Sequence, residues 1–318
     1  MVDRLRLAWR MQRWELAFLA GGSALLGLAL LGLSMALDAV LPPLRTCFEE
    51  DPAQLSATAA CRSLSAWSNI LPTAAGPMTL TVGFVPFAAG ILLGAPLVAR
   101  ELEHRTAPLA WSLASSRVGW LLGRVIPLAV LLAVALLLLG QANESALVAL
   151  DGQELGFRQF GLFGPILAAR GLGVFVLGVV VGLVAGRVLP AILVTAGLTI
   201  VLVLVITFGS SELQRAQAEW QVMRDGDWAT VHMTWDSGFR SEATGEIMTY
   251  QEAYERYPDE LNAMTDPDDA LEGWEPAARV LPADRFDDFV LMESGVYVLV
   301  FLLAGLVTLV VVRVRRPA

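Results

Sequence analysis

The chain has 318 residues, 56% of them apolar, and a positive mean hydropathy, a surplus that a soluble domain of this size does not need. All 22 basic residues are arginine, so neither the phosphate-gripping lysine of a P-loop nor a Schiff-base lysine can come from this chain. The net charge of −9 is unevenly placed: residues 209–289 hold 19 acids and 6 arginines, a balance of −13 that leaves +4 for everything else.

Ahead of the first apolar window, Leu7, Met11, Trp14 and Phe18 recur at helical spacing, with Arg6, Arg10 and Arg13 along an adjacent strip. This predicts an amphipathic helix lying at the membrane interface before the chain turns inward; a basic anchor to anionic lipid explains it equally well. Uncharged windows then follow at Leu16–Leu37, Ser63–Ala99, Val125–Asn143, Gly171–Gly186, Val188–Ser211 and Ser294–Val312. Since roughly 20 apolar residues of helix cross a hydrocarbon core, they predict six spans and an all-α polytopic membrane protein. The sequence Asp38-Ala39-Val40-Leu41-Pro42 offers no small-residue cleavage site, so the first span is expected to stay in the membrane. The fourth window is short; its helix is expected to extend back through Arg170 toward Phe160, with Arg170 snorkelling to the interface.

Arginine placement orients the six spans. Arg4, Arg6, Arg10, Arg13, Arg100, Arg105, Arg117, Arg124, Arg187, Arg313, Arg315 and Arg316 all fall on one side of such a frame, which the positive-inside rule makes cytoplasmic, both termini included. Cys47 and Cys61 then share the exterior stretch after the first span, where a disulfide is expected and two free thiols are the alternative. Residues 209–289 are also exterior, too long for a plain connection and too aromatic for a disordered tail, with Trp220, Trp228, Trp235, Trp274, Tyr250, Tyr254 and Tyr257 available for a small core. They predict a small folded or membrane-draped domain with a helix over Thr249–Arg256 and a turn or helix start at Thr265–Asp269. Its carboxylates lack the D-x-D-x-D-G spacing of a calcium loop, which leaves a solvated acidic surface. The expected organisation is 1–208 for spans one to five, 209–289 for the acidic exterior domain, and 290–318 for span six with a basic tail.

Two polar segments stand out. Between spans two and three, Leu102, Leu109 and Leu113 fall on one helical face while Arg100, Glu101, His104 and Arg105 cover the rest. Thr106 can cap a new start and Pro108 suits a first turn, so a break near Thr106 and a second short helix through Ser115 are predicted, with Arg117 marking the return to the membrane. Before the last span, Arg285, Phe289 and Glu293 share one face at four-residue steps. Glu293 at a membrane edge is either a gate or an interface anchor. Prolines at 86, 96, 127 and 190 and the glycines of spans four and five suit a helical bundle that bends.

The run "ARELEHRTAPLAWSLASSRVGWLLGR" resembles the cytoplasmic segment of ATP-binding-cassette export permeases of the type-2 (ABC-2) membrane superfamily: an acidic helix, a Gly-Thr break, an apolar stretch, and Ser-Arg leading into span three. Glu101, Glu103, Thr106, Leu109, Ser116, Arg117 and Trp120 fit that pattern, whereas Arg105 replaces its glycine and Ala114 a frequent proline. The stretch "LPADRFDDFVLMESG" resembles the approach to the last span in an actinobacterial branch of these permeases, although the segment between spans five and six is longer here than in minimal members. The resemblance implies a permease subunit in a bacterial plasma membrane, exporting or extracting an apolar or amphipathic compound such as a drug, peptide or lipid. It implies a separate ATPase chain that holds ATP and magnesium, a second permease subunit, and no cofactor or metal in this chain. Residues 99–118 would be the coupling segment, with Arg100, Glu101, Glu103, Arg105, Thr106 and Arg117 supplying polar contacts and Leu102, Leu109 and Leu113 packing against the ATPase or the permease's own helices. The competing readings are a solvated loop and, for the whole chain, an ABC-linked sensor or assembly protein whose exterior domain binds a ligand or partner. An intramembrane hydrolase is disfavoured, because His104 and His232 fall on opposite sides and no H-E-x-x-H run occurs.

Overall fold

A computed structural model describes residues 2–50, 59–113, 116–151, 160–223, 234–263, 271, 273–282 and 285–314. The chain is an all-α polytopic membrane protein with six apolar helices long enough to span a bilayer. The helices are α1 (Val2–Glu50), α2 (Ala59–Glu103), the short α3 (Ala107–Leu113), α4 (Arg117–Asp151), α5 (Gly164–Ala185) and α6 (Val188–Gln217). After β1 (Glu219–Val222), β2 (Thr234–Ser241) and β3 (Ile247–Thr249) come α7 (Tyr250–Arg256), α8 (Pro258–Ala263), β4 (Trp274–Val280) and the last span, α9 (Phe286–Val314). The chain divides into two compact units: residues 1–155, 161–203 and 292–318, and residues 156–160 with 204–291.

In the first unit α5 is the axis. Its span window is 78% buried, against 17–39% for the other spans, so α5 is enclosed by its neighbours while they present apolar faces outward. The core gathers Leu30 of α1, Val82 and Val98 of α2, Leu132, Leu136 and Leu139 of α4, and Phe175, Val179 and Leu183 of α5. Lipid tails are as apolar as leucine, so packing rather than water exclusion must hold such helices together, and small residues allow it. That is the use of the glycines. A Cβ on Gly94 would strike the Phe175 carbonyl, one on Gly182 the Ala95 carbonyl, and one on Gly178 would lie 2.7 Å from the Ala95 nitrogen. Bare backbones of α2 and α5 therefore touch along the seam, and Gly140 of α4 meets Gly164 in the same way.

Two expectations about the spans need correction. No turn separates an interfacial helix from the first span: α1 is one 49-residue helix, about 70 Å long at 1.5 Å per residue. The physical reason is that Trp14 to Ala20 contains neither glycine nor proline, so nothing interrupts the backbone ladder. Nor does α5 reach Phe160. Gly161 adopts φ +90°, Phe163 is extended at the N-cap, and Pro165 opens the first turn, so the helix starts at Gly164. The side chains of Cys47 and Cys61 lie outside the described residues, and so does the disulfide expected between them.

The second unit is a four-stranded antiparallel sheet in the order β1-β4-β2-β3 with α7 and α8 beside it. Phe239, Met248, Ala253, Leu261 and Leu271 form its core, with Tyr257 and Trp274 packed against them. The helix expected over Thr249–Arg256 is present as α7. Thr249 is its N-cap, accepting from the Glu252 N–H, while the Glu252 carboxylate accepts from the Thr249 N–H at 2.8 Å, a reciprocal capping box. Donation to the Glu252 carboxylate from the Thr249 N–H and, at 2.9 Å, from the Thr249 hydroxyl holds that carboxyl below its ordinary value of 4.5. Residues 265–269, expected as a turn, lie outside the described residues. None of the strands is part of the sequence expectation, and Pro276 shows why. Proline in a central strand argues against one, yet β4 lies between β1 and β2. Pro276 turns its carbonyl to the β1 side, where it accepts from Met223 N–H at 2.8 Å just beyond the end of β1; the N–H it lacks would fall on that same side, so the β2 ladder loses no bond.

Candidate functional site

The α2–α3–α4 corner is built by a helix that stops without glycine. α2 ends at Glu103, and Arg105 follows in the left-handed region at φ 56°, the sole non-glycine residue with positive φ among the described residues. Thr106 N–H then bonds back to the Glu101 carbonyl (3.0 Å) and Arg105 N–H to the Leu102 carbonyl (3.2 Å), the paired bonds of a Schellman cap. A left-handed arginine costs roughly 1–2 kcal/mol, which the reversal requires the rest of the corner to offset. The expected break near Thr106 thus arises by backbone strain at Arg105, in the place where glycine would be free of it.

Below this turn the side chains tie three membrane helices together. Glu101 pairs with Arg124 of α4, both about 85% buried. Glu103 accepts from Val188 N–H at 2.9 Å, placing a carboxylate on the positive end of α6. Leu102 packs against the core. Trp111 of α3 is only 8% exposed and meets Trp120 of α4 edge-on at 6.0 Å between centroids, a geometry worth about 0.5–1.5 kcal/mol beyond its area. Arg117 lies 5.1 Å over Trp111 and Arg124 4.7 Å over Trp120, so two guanidiniums and two indoles alternate at the base of the corner. What projects outward is Leu109, 64% exposed, with Arg100, His104, Arg105, Thr106 and Ser112 exposed around it.

Leu102 and Leu109 therefore do not share a face. The left-handed turn separates them: Leu102 points into the core, Leu109 points out, and the Leu113 side chain lies outside the described residues. Glu101 and Glu103, expected as contacts to another chain, are engaged within this one. Sequence reasoning missed Trp111 as the anchor of α3; the available signal is an indole inside a polar segment, nine residues before a second one at a membrane edge.

The residues grouped before the last span also separate. Arg285 is exposed and pairs with Asp288 one turn along its own helix at 3.4 Å, an interaction worth less than about 1 kcal/mol. Phe289 and Glu293 are buried, at 2% and 3% exposure, and continue inward to Tyr297 rather than back to Arg285. Glu293 has a partner the sequence reading did not assign. Arg170 donates from Nε (2.7 Å) and Nη2 to Glu293 Oε1, and from Nη1 to the Gly161 carbonyl (2.8 Å), with the Phe87 ring 5.8 Å away. The expected snorkelling of Arg170 is thus not what the structure has: an opposite charge on α9 and a turned-in carbonyl satisfy it inside the protein. Arg170, the one charged residue of α5, was the readable clue.

Among the described residues no group of three histidine, cysteine or acidic side chains is placed to hold a metal ion. The fold and its corner thus define a six-span helical membrane protein whose spans two, three and five are tied beneath a short projecting helix. The family model described as ABC-2 membrane transporter related matches residues 16–209, and the chain belongs to that family. No curated protein and no solved structure matches it.

Proposed function

We propose that this chain is the permease subunit of an ATP-binding-cassette exporter and that α3 is the helix on which a separate ATPase subunit bears. The observation that carries the reading is the corner itself: an exposed Leu109 on a helix whose other face is fixed to α4 through Trp111 and Trp120. A push on α3 reaches α4 directly. Through the Schellman turn it reaches α2, and from α2 it reaches α4 again by Glu101–Arg124 and α6 by Glu103. A loop that only needed solvation would not require one buried indole set against a second, half-buried one. Family membership over five of the six spans supports an ABC ATPase partner, which would hold the ATP and magnesium.

On this reading α3, Arg100, Arg105, Thr106 and Arg117 face the cytoplasm, both termini lie there, and the 209–289 region is outside a bacterial plasma membrane. The protein would work as a pair with a second permease subunit, as in the actinobacterial branch it resembles. The cargo class is an apolar or amphipathic compound, in keeping with the apolar outer faces of α6 and α9. A detergent pull-down with the co-expressed ATPase tests the reading. Leu109→Asp, which leaves every intramolecular bond of the corner in place, should abolish ATPase retention at unchanged thermal stability. Retention equal to wild type would remove α3 from the interface and favour a sensor whose outer domain carries the function.

A further inference from the structure

α9 is held to α5 by few groups over its first half. Phe289, Glu293 and Tyr297 are buried, whereas Leu291, Val296, Val298 and Leu299 are exposed. The contact is close: a Cβ on Gly173 would lie 3.0 Å from the Tyr297 carbonyl. One turn above it stands the Arg170–Glu293 pair, each residue about two helical turns inside its own helix.

The pair occupies a built site. Gly161 has φ +90°, a backbone conformation that suits glycine and turns its carbonyl to the guanidinium, and a Cβ there would fall 2.6 Å from Arg170 Nη2 and push the guanidinium aside. Stability alone does not account for such construction, because well-packed apolar residues of similar volume commonly match or exceed a buried ion pair. Between helices a charge pair has a different property from apolar packing: its two halves can each find other partners when they part. Beside it, Ser294 buries its hydroxyl with no hydrogen-bond partner, a polar group left unsatisfied in this arrangement of α9.

We propose that Arg170 and Glu293 form a latch between α5 and α9, closed in this structure, that opens so that α9 can swing from the central helix during the working cycle. The proposal rests on the transport reading. In the open state Arg170 keeps the Gly161 carbonyl as a partner and Glu293 turns away with α9.

The test uses the full chain in nanodiscs, with spin labels at Pro165→Cys and Leu299→Cys, and the same variants with the ATPase present. Glu293→Gln should loosen the latch and lengthen or broaden the label distance by 5 Å or more. Arg170→Met combined with Glu293→Leu should hold the wild-type distance and thermal stability, yet lower ATP turnover of the complex at least tenfold while retaining the ATPase. An unchanged distance in Glu293→Gln, or turnover within twofold of wild type in the folded apolar pair, would overturn the latch. Failure of wild type to retain any ATPase would instead overturn the transport reading, and the label distances alone would then decide the latch. Should the apolar pair fail to fold, the Glu293→Gln distance decides.

Discussion

The glycine seam makes a prediction whose sign changes along the same chain. At Gly178 an added Cβ would sit 2.7 Å from the Ala95 nitrogen, where ordinary van der Waals contact begins near 3.4 Å, so α2 must retreat by roughly 0.7 Å. A gap of that size forfeits about a quarter to a half of each pair attraction along the interface, and overpacking of this kind costs about 1–3 kcal/mol. Alanine in place of glycine returns about 0.5–1 kcal/mol of helix propensity, too little to offset it. At Gly197 and Gly305 nothing lies within 4 Å of the added atom, so only the gain remains. Thermal unfolding in detergent should show Gly178→Ala several degrees below wild type and Gly197→Ala and Gly305→Ala at or above it. Equal midpoints for all three would refute the seam, because one substitution would then feel the same surroundings at all three places.

Other expectations follow from single residues. Arg105→Gly should stabilise the protein by about 1 kcal/mol by removing left-handed strain, and Arg105→Val should destabilise it by at least as much; calorimetry of the purified chain reads both. Trp111→Ala should free α3 from α4 and raise the amide exchange of residues 107–113 at least tenfold, while exchange in the middle of α5 stays unchanged; equal protection of α3 in both proteins would contradict its role as anchor. Thr249→Ala should cost the second unit about 1 kcal/mol through loss of its cap. Because Glu252 titrates below 4.5 when folded, its stabilisation is complete above that pH and disappears as pH falls through the lowered value. The unfolding midpoint of wild type should therefore drop more steeply than that of Glu252→Gln below pH 4.5, and parallel curves would contradict the capping box.

The six spans were legible because a bilayer demands long uncharged helices, and composition alone displays them. The break near Thr106 was legible too, from the polar run and proline position, although the Thr106 hydroxyl donates back to the Glu101 carbonyl and the turn itself is made at Arg105. What it does to side-chain direction was not, since one left-handed residue reverses the faces that a continuous helix would assign to Leu102 and Leu109. Arg170 with Glu293 was hidden by sequence distance: the pair joins residues 123 apart, and nothing in either local pattern selects the other. The strands escaped for local reasons. β2 carries Asp236 and Gly238 and a register shift between Thr234 and Asp236, and β4 carries Pro276, so the period-two alternation that marks a strand is broken in both.

The central claim is that α3 is worked by another chain, and site-directed photo-crosslinking in native-like membranes tests it most directly. A photoreactive residue at Leu109, in cells co-expressing the ABC ATPase, should yield an adduct with the ATPase that the same residue at Leu138 or Leu198, both on exposed faces within spans, does not. An adduct confined to position 109 is the result predicted. An ATPase that copurifies but crosslinks equally from all three positions, or from none, would contradict the claim.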